Sequence, residues 1–415
     1  MYIKRKLEGT ILEYLKTKEI IAITGPRQSG KTTLLKNIQS NLGKSVYITF
    51  EDIKDLNFFE QDINGFAKKY LSEYKYIFID EFQYAKNGGK RLKYLYDVFP
   101  NNKLIISGSS AIDLTIKAIK FLVGRVFIFN LFPFDFEEFL QTKKNSLLGE
   151  YQKYTKKINL NKIKINKLEI SSAINTEFND LLEEFIIWGG YPRVILAKTD
   201  SEKENILKNI YNTYFLRDIK DVLGLIDDYK MARLIQALSA QIGQLINYQE
   251  LCAMSGYNYL TLKKYINVLE KTFVCKTIRP YFSNRRKEVV KNPKIFFFDT
   301  GLRNFAAQNF GKLDSRADKG QLNENFVFCQ LTKKEIGLNF WRNKIKNEVD
   351  FIIETSGKQI ALESKSQLKQ TKIPPSLSAF IKLHHPKLAI IASDNYQNPT
   401  KLNETPVHFL PRWIF

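Results

Sequence analysis

Four β-type residues that pass directly into G-x-x-x-x-G-K-T constrain this chain most: Ile21-Ala22-Ile23-Thr24-Gly25-Pro26-Arg27-Gln28-Ser29-Gly30-Lys31-Thr32. In such a P-loop the glycines let the backbone turn so that successive N–H groups face phosphate, the lysine neutralises the β/γ oxygens and the hydroxyl holds magnesium. Thr33-Leu34-Leu35-Lys36-Asn37-Ile38 behind it suits a helix, and a strand-loop-helix unit brings phosphate to a helix N-terminus. A chance glycine-rich turn would lack both flanks. The pattern predicts ATP with Mg2+, cradled by Gly25, Pro26, Arg27, Gln28, Ser29, Gly30, Lys31, Thr32 and Thr33, with Thr32 on the metal.

Tyr76-Ile77-Phe78-Ile79-Asp80-Glu81 is a short apolar run ending in two acids, as expected of a buried parallel strand that delivers carboxylates to the C-terminal edge of a sheet. Downstream of a P-loop, Asp80 is expected to hold magnesium through water and Glu81 to orient and polarise the attacking water, because phosphoryl transfer rests on positioning and charge stabilisation. A further strand, Lys103-Leu104-Ile105-Ile106, ends at Ser107-Gly108-Ser109-Ser110. Either Ser107 or Ser109 senses the γ-phosphate there, or this is a solvated turn.

The chain has 415 residues, enough for two to four domains, and its 44% hydrophobic and 26% charged content is that of a globular protein. Lys and Arg number 64 against 43 Asp and Glu, a formal charge of +21. That balance suits a polyanion such as nucleic acid, although an anionic membrane surface attracts the same charge. No apolar run reaches the roughly 18 residues of a membrane span, and Met1-Tyr2-Ile3-Lys4-Arg5-Lys6 leads into no secretory apolar core, so a cytoplasmic protein is expected. Cys252, Cys275 and Cys329 have no metal-ligand spacing and read as reduced core thiols. The three histidines, His384, His385 and His408, are too few for a His-based catalytic centre.

The expected architecture is α/β. A P-loop NTPase parallel sheet in residues 1–140 gives way after Pro133 to a helical linker or lid in 141–228, then a winged helix-turn-helix in 229–298 and an α/β nuclease-like domain in 299–415. Ser45-Val46-Tyr47-Ile48-Thr49-Phe50 and Val126-Phe127-Ile128-Phe129 are further strands of the first domain. Residues 141–180 hold eight lysines by position 167 with little periodicity and read as an insertion or helical linker, with disorder open. Gly189-Gly190-Tyr191-Pro192 should break the helical region that follows.

Residues 229–298 carry twelve Lys/Arg against three acids. Tyr248 to Met254 can form a helix that stops at Gly256, Leu262, Ile266 and Leu269 recur at helical spacing, and a basic β-like hairpin runs from Arg279 to Phe297. That is the plan of a winged helix-turn-helix, with Tyr259, Thr261, Lys263, Lys264 and the wing residues Arg285, Arg286 and Lys287 as contacts, mostly to DNA phosphates. The alternative is a helical module with a solvated basic face.

Near the C-terminus, Asn347-Glu348-Val349-Asp350-Phe351-Ile352-Ile353 and Ile360-Ala361-Leu362-Glu363-Ser364-Lys365 read as two strands joined by a turn at Ser356-Gly357. Asp350, Glu363 and Lys365 have the spacing of PD-(D/E)xK nucleases, in which two carboxylates bind magnesium beside a lysine, and Glu324 on a preceding helix adds a further carboxylate.

The whole chain resembles prokaryotic AAA-type ATPases whose C-terminal region joins a winged helix to a PD-(D/E)xK-like domain. The resemblance is carried by Gly25 to Thr32, Ile79-Asp80-Glu81-Phe82-Gln83, Gly124-Arg125, Gly189-Gly190-Tyr191-Pro192, Phe298-Asp299-Thr300-Gly301-Leu302, and Trp341-Arg342 with Glu348-Val349-Asp350-Phe351. It implies ATP binding and hydrolysis beside nucleic acid, with Arg125 either a phosphate-sensing or finger arginine or a structural salt bridge. The leading expectation is an ATP-driven switch or motor that engages DNA, with self-association left open. The alternatives are an ATP-gated metal-dependent nuclease, and a signalling ATPase acting through protein contacts.

Overall fold

Residues 2–108, 121–213, 229–282, 291–366, 368 and 372–415 are described by the computed structural model. They divide into two units, Met1–Phe134 with Asn267–Val274, and Asp135–Ile266 with Cys275–Phe415. The change of pattern expected after Pro133 coincides with the first division.

In the first unit, α1 (Lys6–Tyr14), β1 (Ile20–Thr24), α2 (Lys31–Ser40), β2 (Ser45–Thr49), α3 (Ile53–Gln61), α4 (Ile63–Tyr70), β3 (Tyr76–Asp80), α5 (Gly88–Val98), β4 (Lys103–Gly108) and β5 (Val126–Asn130) follow one another. The five strands are all parallel, in the order β2-β3-β4-β1-β5. A parallel sheet is covered on both faces, which is why its strands read as unbroken apolar runs. Ile20 and Ala22, Ile77 and Ile79, and Leu104 and Ile106 enter one core with Phe50, Phe59 and Phe66. Their neighbours Ile21, Ile23, Phe78 and Ile105 enter the opposite core with Ile11, Leu34, Leu35 and Ile38. Each fully buried Ile or Leu contributes about 1.5–3 kcal/mol, so a one-residue slip of any strand would exchange the two cores and is strongly disfavoured. Because the strands are parallel, the ends of β1, β4 and β3 lie side by side on one edge, with β4 between the other two.

The second unit begins with α6 (Phe136–Lys143), α7 (Leu148–Thr155), a small hairpin of β6 (Ile158–Asn159) and β7 (Lys164–Ile165), α8 (Ser172–Trp188), α9 (Pro192–Leu196) and α10 (Asp200–Ile210). The lysine-rich stretch 141–180 is therefore ordered, contrary to the open expectation of disorder. Its aromatic residues explain this: Tyr151, Tyr154 and Phe178 surround Trp413 with ring centroids 4.3–6.2 Å away, and Trp413 Nε1 donates to Asn175 Oδ1 at 2.9 Å. The C-terminal segment thus supplies the core that the local composition lacks.

Three helices come next, α11 (Tyr229–Ala240), α12 (Tyr248–Ser255) and α13 (Tyr259–Lys271). They precede β8 (Cys275–Pro280), β9 (Lys294–Phe297), α14 (Thr300–Ala306), α15 (Lys319–Lys333), β10 (Leu338–Arg342), β11 (Glu348–Thr355), β12 (Lys358–Ser364), α16 (Pro375–His384), β13 (Leu388–Ser393), β14 (Gln397–Leu402) and β15 (Thr405–Pro411). One sheet in the order β14-β15-β13-β12-β11-β10-β8-β9 contains eight of these strands. Here the structure corrects the boundary expected at 298. β8 pairs antiparallel with β9, as the hairpin reading had it, but Asn339 and Phe340 of β10 pair parallel with Arg279 and Pro280 of β8. The expected wing strands are thus an edge of the C-terminal sheet.

Helix α16 covers one face of this sheet through Leu377, Phe380 and Ile381, packed with Trp341, Val349, Ala361 and Ile391. Helix α15 is buried from Leu322 to Thr332, which an amphipathic surface helix would not be. Phe328 stacks on Phe296 at 4.7 Å, while Phe326 meets Phe136 and Phe185. Two motifs quoted from the sequence also meet within this unit. Asp299 accepts from the backbone of Gly190 at 2.7 Å and of Leu302 at 2.9 Å, and a Cβ on Gly301 would collide with the carbonyl of Trp188. Both motifs therefore build a joint between α8 and α14.

Candidate functional site

The P-loop leaves β1 at Gly25, where φ is +154° and a Cβ would strike the carbonyl oxygen of Leu131, so the loop can hug β5 only with glycine there. It turns again at Gln28 (φ 61°) and Gly30 (φ 99°), the residue that opens α2. Lys31 is 5% exposed, and its Nζ donates to Gly25 O and Pro26 O, both at 2.9 Å. The ammonium is thus bound to the loop's own carbonyls. Burial lowers its pKa to about 8, against the opposing charges of Glu81 and Asp80. Ser29 Oγ and Gln28 Oε1 are buried without a hydrogen-bond partner, which suits a loop shaped around a polar ligand. Thr32 and Thr33 are exposed at the first turn of α2, and Arg27 is close enough for its charge to act on Lys31 and Glu81.

Asp80, 1% exposed at the end of β3, gathers the neighbouring strand ends. Its Oδ2 accepts from Thr32 Oγ1 at 2.6 Å and from Tyr47 OH at 2.7 Å, and its Oδ1 accepts from the Glu81 N–H at 3.0 Å and from Ser107 Oγ. Thr32 and Asp80, each expected on magnesium, are therefore in contact. Ser107, one of the two serines expected to sense the γ-phosphate, gives its fully buried hydroxyl to Asp80 and so orients the acid. Ser109 lies outside the described residues. Glu81 adopts a left-handed backbone (φ 52°), its carboxylate accepts from Gln83 Nε2, and burial raises its pKa.

Of the two roles expected for Arg125, the structure shows the salt bridge. Its carbonyl accepts from Ile20 N at the N-terminal start of β1, its side chain pairs with Asp97 at 3.1 Å, and the P-loop stands at the other end of the same strand. Five residues of strand separate the two by roughly 16 Å, beyond reach of a phosphate in the loop.

Two residues join the site that motif reading did not find. Tyr47, on β2, is the second hydroxyl on Asp80 Oδ2, and burial together with the Asp80 charge raises its phenol well above the ordinary range. Arg5 is 5% exposed and donates to Ser29 O in the P-loop and to Phe132 O beyond β5, both at 2.7 Å, with its guanidinium 4.7 Å from the Phe134 ring centre. A polar-tipped aromatic on the strand beside β3 was a signal for the first. A lone arginine ahead of α1 offered none for the second.

Helix α12 ends at Gly256, and α13 buries Leu262, Ile266 and Leu269 while Tyr259, Lys263 and Lys264 are exposed and Thr261 is half-buried. The Lys263 ammonium lies 4.5 Å from the Tyr259 ring centre and 5.6 Å from that of Tyr248. Arg285, Arg286 and Lys287 lie outside the described residues.

The C-terminal carboxylates do converge. Phe351 of β11 pairs with Leu362 of β12, which sets Asp350 and Glu363 one step beyond that pair, and Glu324 comes from α15. Asp350 Oδ2 accepts from Ser364 N at 2.7 Å, and Glu363 Oε1 accepts from Ser376 Oγ at 3.1 Å and pairs with Lys365 at 2.6 Å. Sequence reading missed Lys294, which pairs with Glu324 at 2.9 Å, with Glu348 at 2.6 Å and with Asp350 at 3.8 Å. Burial alone would lower this lysine's pKa, but the three acids outweigh it and keep the group charged. Burial raises Glu324 and Asp350, and brings Glu363 up to about 7. The two carboxylates expected to hold magnesium, Asp350 and Glu363, thus stand beside Lys294 and Lys365, and among the described residues no group of three or more His, Cys, Asp or Glu side chains could hold a metal ion.

Residues 17–140 match the family model of an AAA domain, residues 179–313 a domain of unknown function (DUF8612) and residues 319–411 another domain of unknown function (DUF4143). An uncharacterized protein of Haemophilus influenzae is 25% identical, with 97% of this chain and 96% of the relative covered. One of Methanocaldococcus jannaschii is 28% identical, covering 88% and 78%. Among solved structures, a Walker-type ATPase of Pyrococcus abyssi aligns with 74% of this chain and 96% of its own, at 16% identity and a TM-score of 0.42. The ADP form of the Aeropyrum pernix ORC2 protein aligns over 67% and 87%, at 11% identity and a TM-score of 0.33. The parallel sheet with its P-loop beside Asp80 falls within the residues that match the AAA model, so the N-terminal region is similar to AAA-type P-loop ATPase domains.

Proposed function

We propose that the first unit binds ATP with magnesium and hydrolyses it, and that hydrolysis is coupled to DNA held by the second unit. The observation that carries the reading is the meeting of Thr32 and Asp80 at 2.6 Å beside the P-loop lysine. On this reading Lys31 leaves the carbonyls of Gly25 and Pro26 for the β/γ-phosphates. Thr32 and Asp80 hold the magnesium, which supplies charge neutralisation on the phosphates. Glu81 orients the attacking water once its carboxylate is released from Gln83.

Kinetics of two variants test it. Lys31→Ala should lose nucleotide binding, whereas Glu81→Gln should keep ATP bound and slow hydrolysis by about 10²-fold or more, the usual range for a lost general base. An unchanged rate in Glu81→Gln would remove that residue from the mechanism.

The DNA partner is favoured by the exposed Tyr259, Lys263 and Lys264 on α13, which combine stacking surface with phosphate-pairing charge, and by the basic excess of residues 229–298. Stimulation of ATP hydrolysis by duplex DNA is the expected result. Indifference to DNA would favour a signalling ATPase that works through protein contacts.

A further inference from the structure

Lys294 opens β9 at 1% exposure, ahead of the buried Ile295, Phe296 and Phe297. A lysine is buried to this depth only when its charge is matched, and the match here comes from two elements, Glu324 on α15 and Glu348 and Asp350 on β11. Several of the other oxygens are also engaged. Arg342 pairs with Glu348 Oε2 at 3.3 Å, the Ser364 amide donates to Asp350 Oδ2, and Lys365 and Ser376 share Glu363 Oε1. Glu363 Oε2 is buried and has no hydrogen-bond partner, so it is an oxygen a metal ion would still find.

A magnesium ion demands near-octahedral oxygens at about 2.0–2.1 Å and keeps several waters. Such an ion on Asp350 and Glu363 would stand against two ammonium groups, the buried Lys294 and the part-exposed Lys365, and the repulsion from Lys294 would be poorly screened. We propose that the Lys294 ammonium is the resident cation of this nuclease-like cluster, and that the cluster consequently takes no divalent metal. The carboxylate geometry of a metal-dependent nuclease is kept, and its charge is matched from within the chain. The C-terminal sheet then acts without metal-dependent cleavage.

Manganese titration of the full-length protein without nucleotide, read by electron paramagnetic resonance of the free ion, tests this. Wild type and Asp350→Asn should bind the same amount of Mn2+, any weak binding at the P-loop being common to both. Lys294→Met should gain about one further equivalent, lost again in Lys294→Met/Asp350→Asn. Binding in wild type that disappears in Asp350→Asn would overturn the proposal. So would a folded Lys294→Met that gains no site. Should Lys294→Met fail to fold, the comparison of wild type with Asp350→Asn decides alone.

Discussion

The Tyr47 phenol lies 2.7 Å from Asp80 Oδ2, the oxygen that also accepts from Thr32. Asp80 is thereby held from three sides, by α2, by β2 and by Ser107 of β4, so its carboxylate cannot rotate without breaking a bond in a buried site. Tyr47→Phe removes one of these holds and leaves the ring. A hydrogen bond to a charged group contributes about 1.5–3 kcal/mol, so the Mg2+ concentration needed for half-maximal ATP hydrolysis should rise by about tenfold, with metal-free ATP affinity unchanged. Steady-state rates across a Mg2+ series check it, and an unshifted midpoint would reduce Tyr47 to a bystander.

Arg5 ties the P-loop carbonyl of Ser29 to that of Phe132. Arg5→Gln leaves at least one buried carbonyl without a donor, at a cost of about 1–3 kcal/mol. Thermal unfolding should show the loss, and KM for ATP should rise while kcat stays near wild type, because the loop's shape is disturbed and Glu81 is not. A fall in kcat with KM preserved contradicts a role in shaping the loop.

Lys31 has a pKa of about 8 in the protein, against 10.5 for a free lysine, because burial penalises its charge. Between these values the unfolded chain binds more protons than the folded one, so this group's contribution to stability rises with pH across that window. Phosphate oxygens would restore its charge. ATP binding at pH 8.5 should therefore take up protons, and at pH 7 the Lys31 share should vanish. Calorimetry in buffers of different ionisation enthalpy measures the uptake directly.

Glu363 shows the opposite sign. Burial outweighs the neighbouring Lys365 and raises it to about 7 from 4.5, so the folded state binds more protons in that window and stability falls as pH climbs through it. Glu363→Gln should recover up to about 3 kcal/mol at pH 8 relative to pH 5, since one pKa unit corresponds to roughly 1.4 kcal/mol. Urea unfolding at the two pH values reads the difference, and parallel pH profiles for both proteins would contradict the assignment.

Lys263 and Lys264 stand exposed on α13. If both pair with DNA phosphates, Lys263→Ala/Lys264→Ala should flatten the slope of log affinity against log salt by about 2, at roughly 0.9 per phosphate contact. An identical slope removes this face of α13 from the interface.

Contiguous chemistry was legible in the chain, and long-range chemistry was not. Gly25 to Thr32 and the strand ending at Asp80 are local patterns, and both lie at one sheet edge as their spacing requires. The pairing of Asp80 with Ser107 depends on β4 lying between β1 and β3, an order that no local pattern encodes, so the sequence left Ser107 between a γ-phosphate sensor and a turn residue. Arg125 was left between a phosphate-contacting arginine and a structural salt bridge for a related reason, since its partner Asp97 is distant in sequence. Lys294 looked like one more basic residue of a wing. Its acids come from positions 324, 348 and 350, and only the folded sheet brings them to it.

The pairing of β10 with β8 also decides where this chain can be cut. A fragment starting at residue 299 would lack β8, β9 and Lys294, leaving β10 as a bare strand edge and the buried Glu324 without its lysine. Exposed edges of this kind recruit other strands. Recombinant pieces that begin at residue 299 should therefore collect in inclusion bodies, whereas a piece starting at residue 135 retains both strands and the lysine.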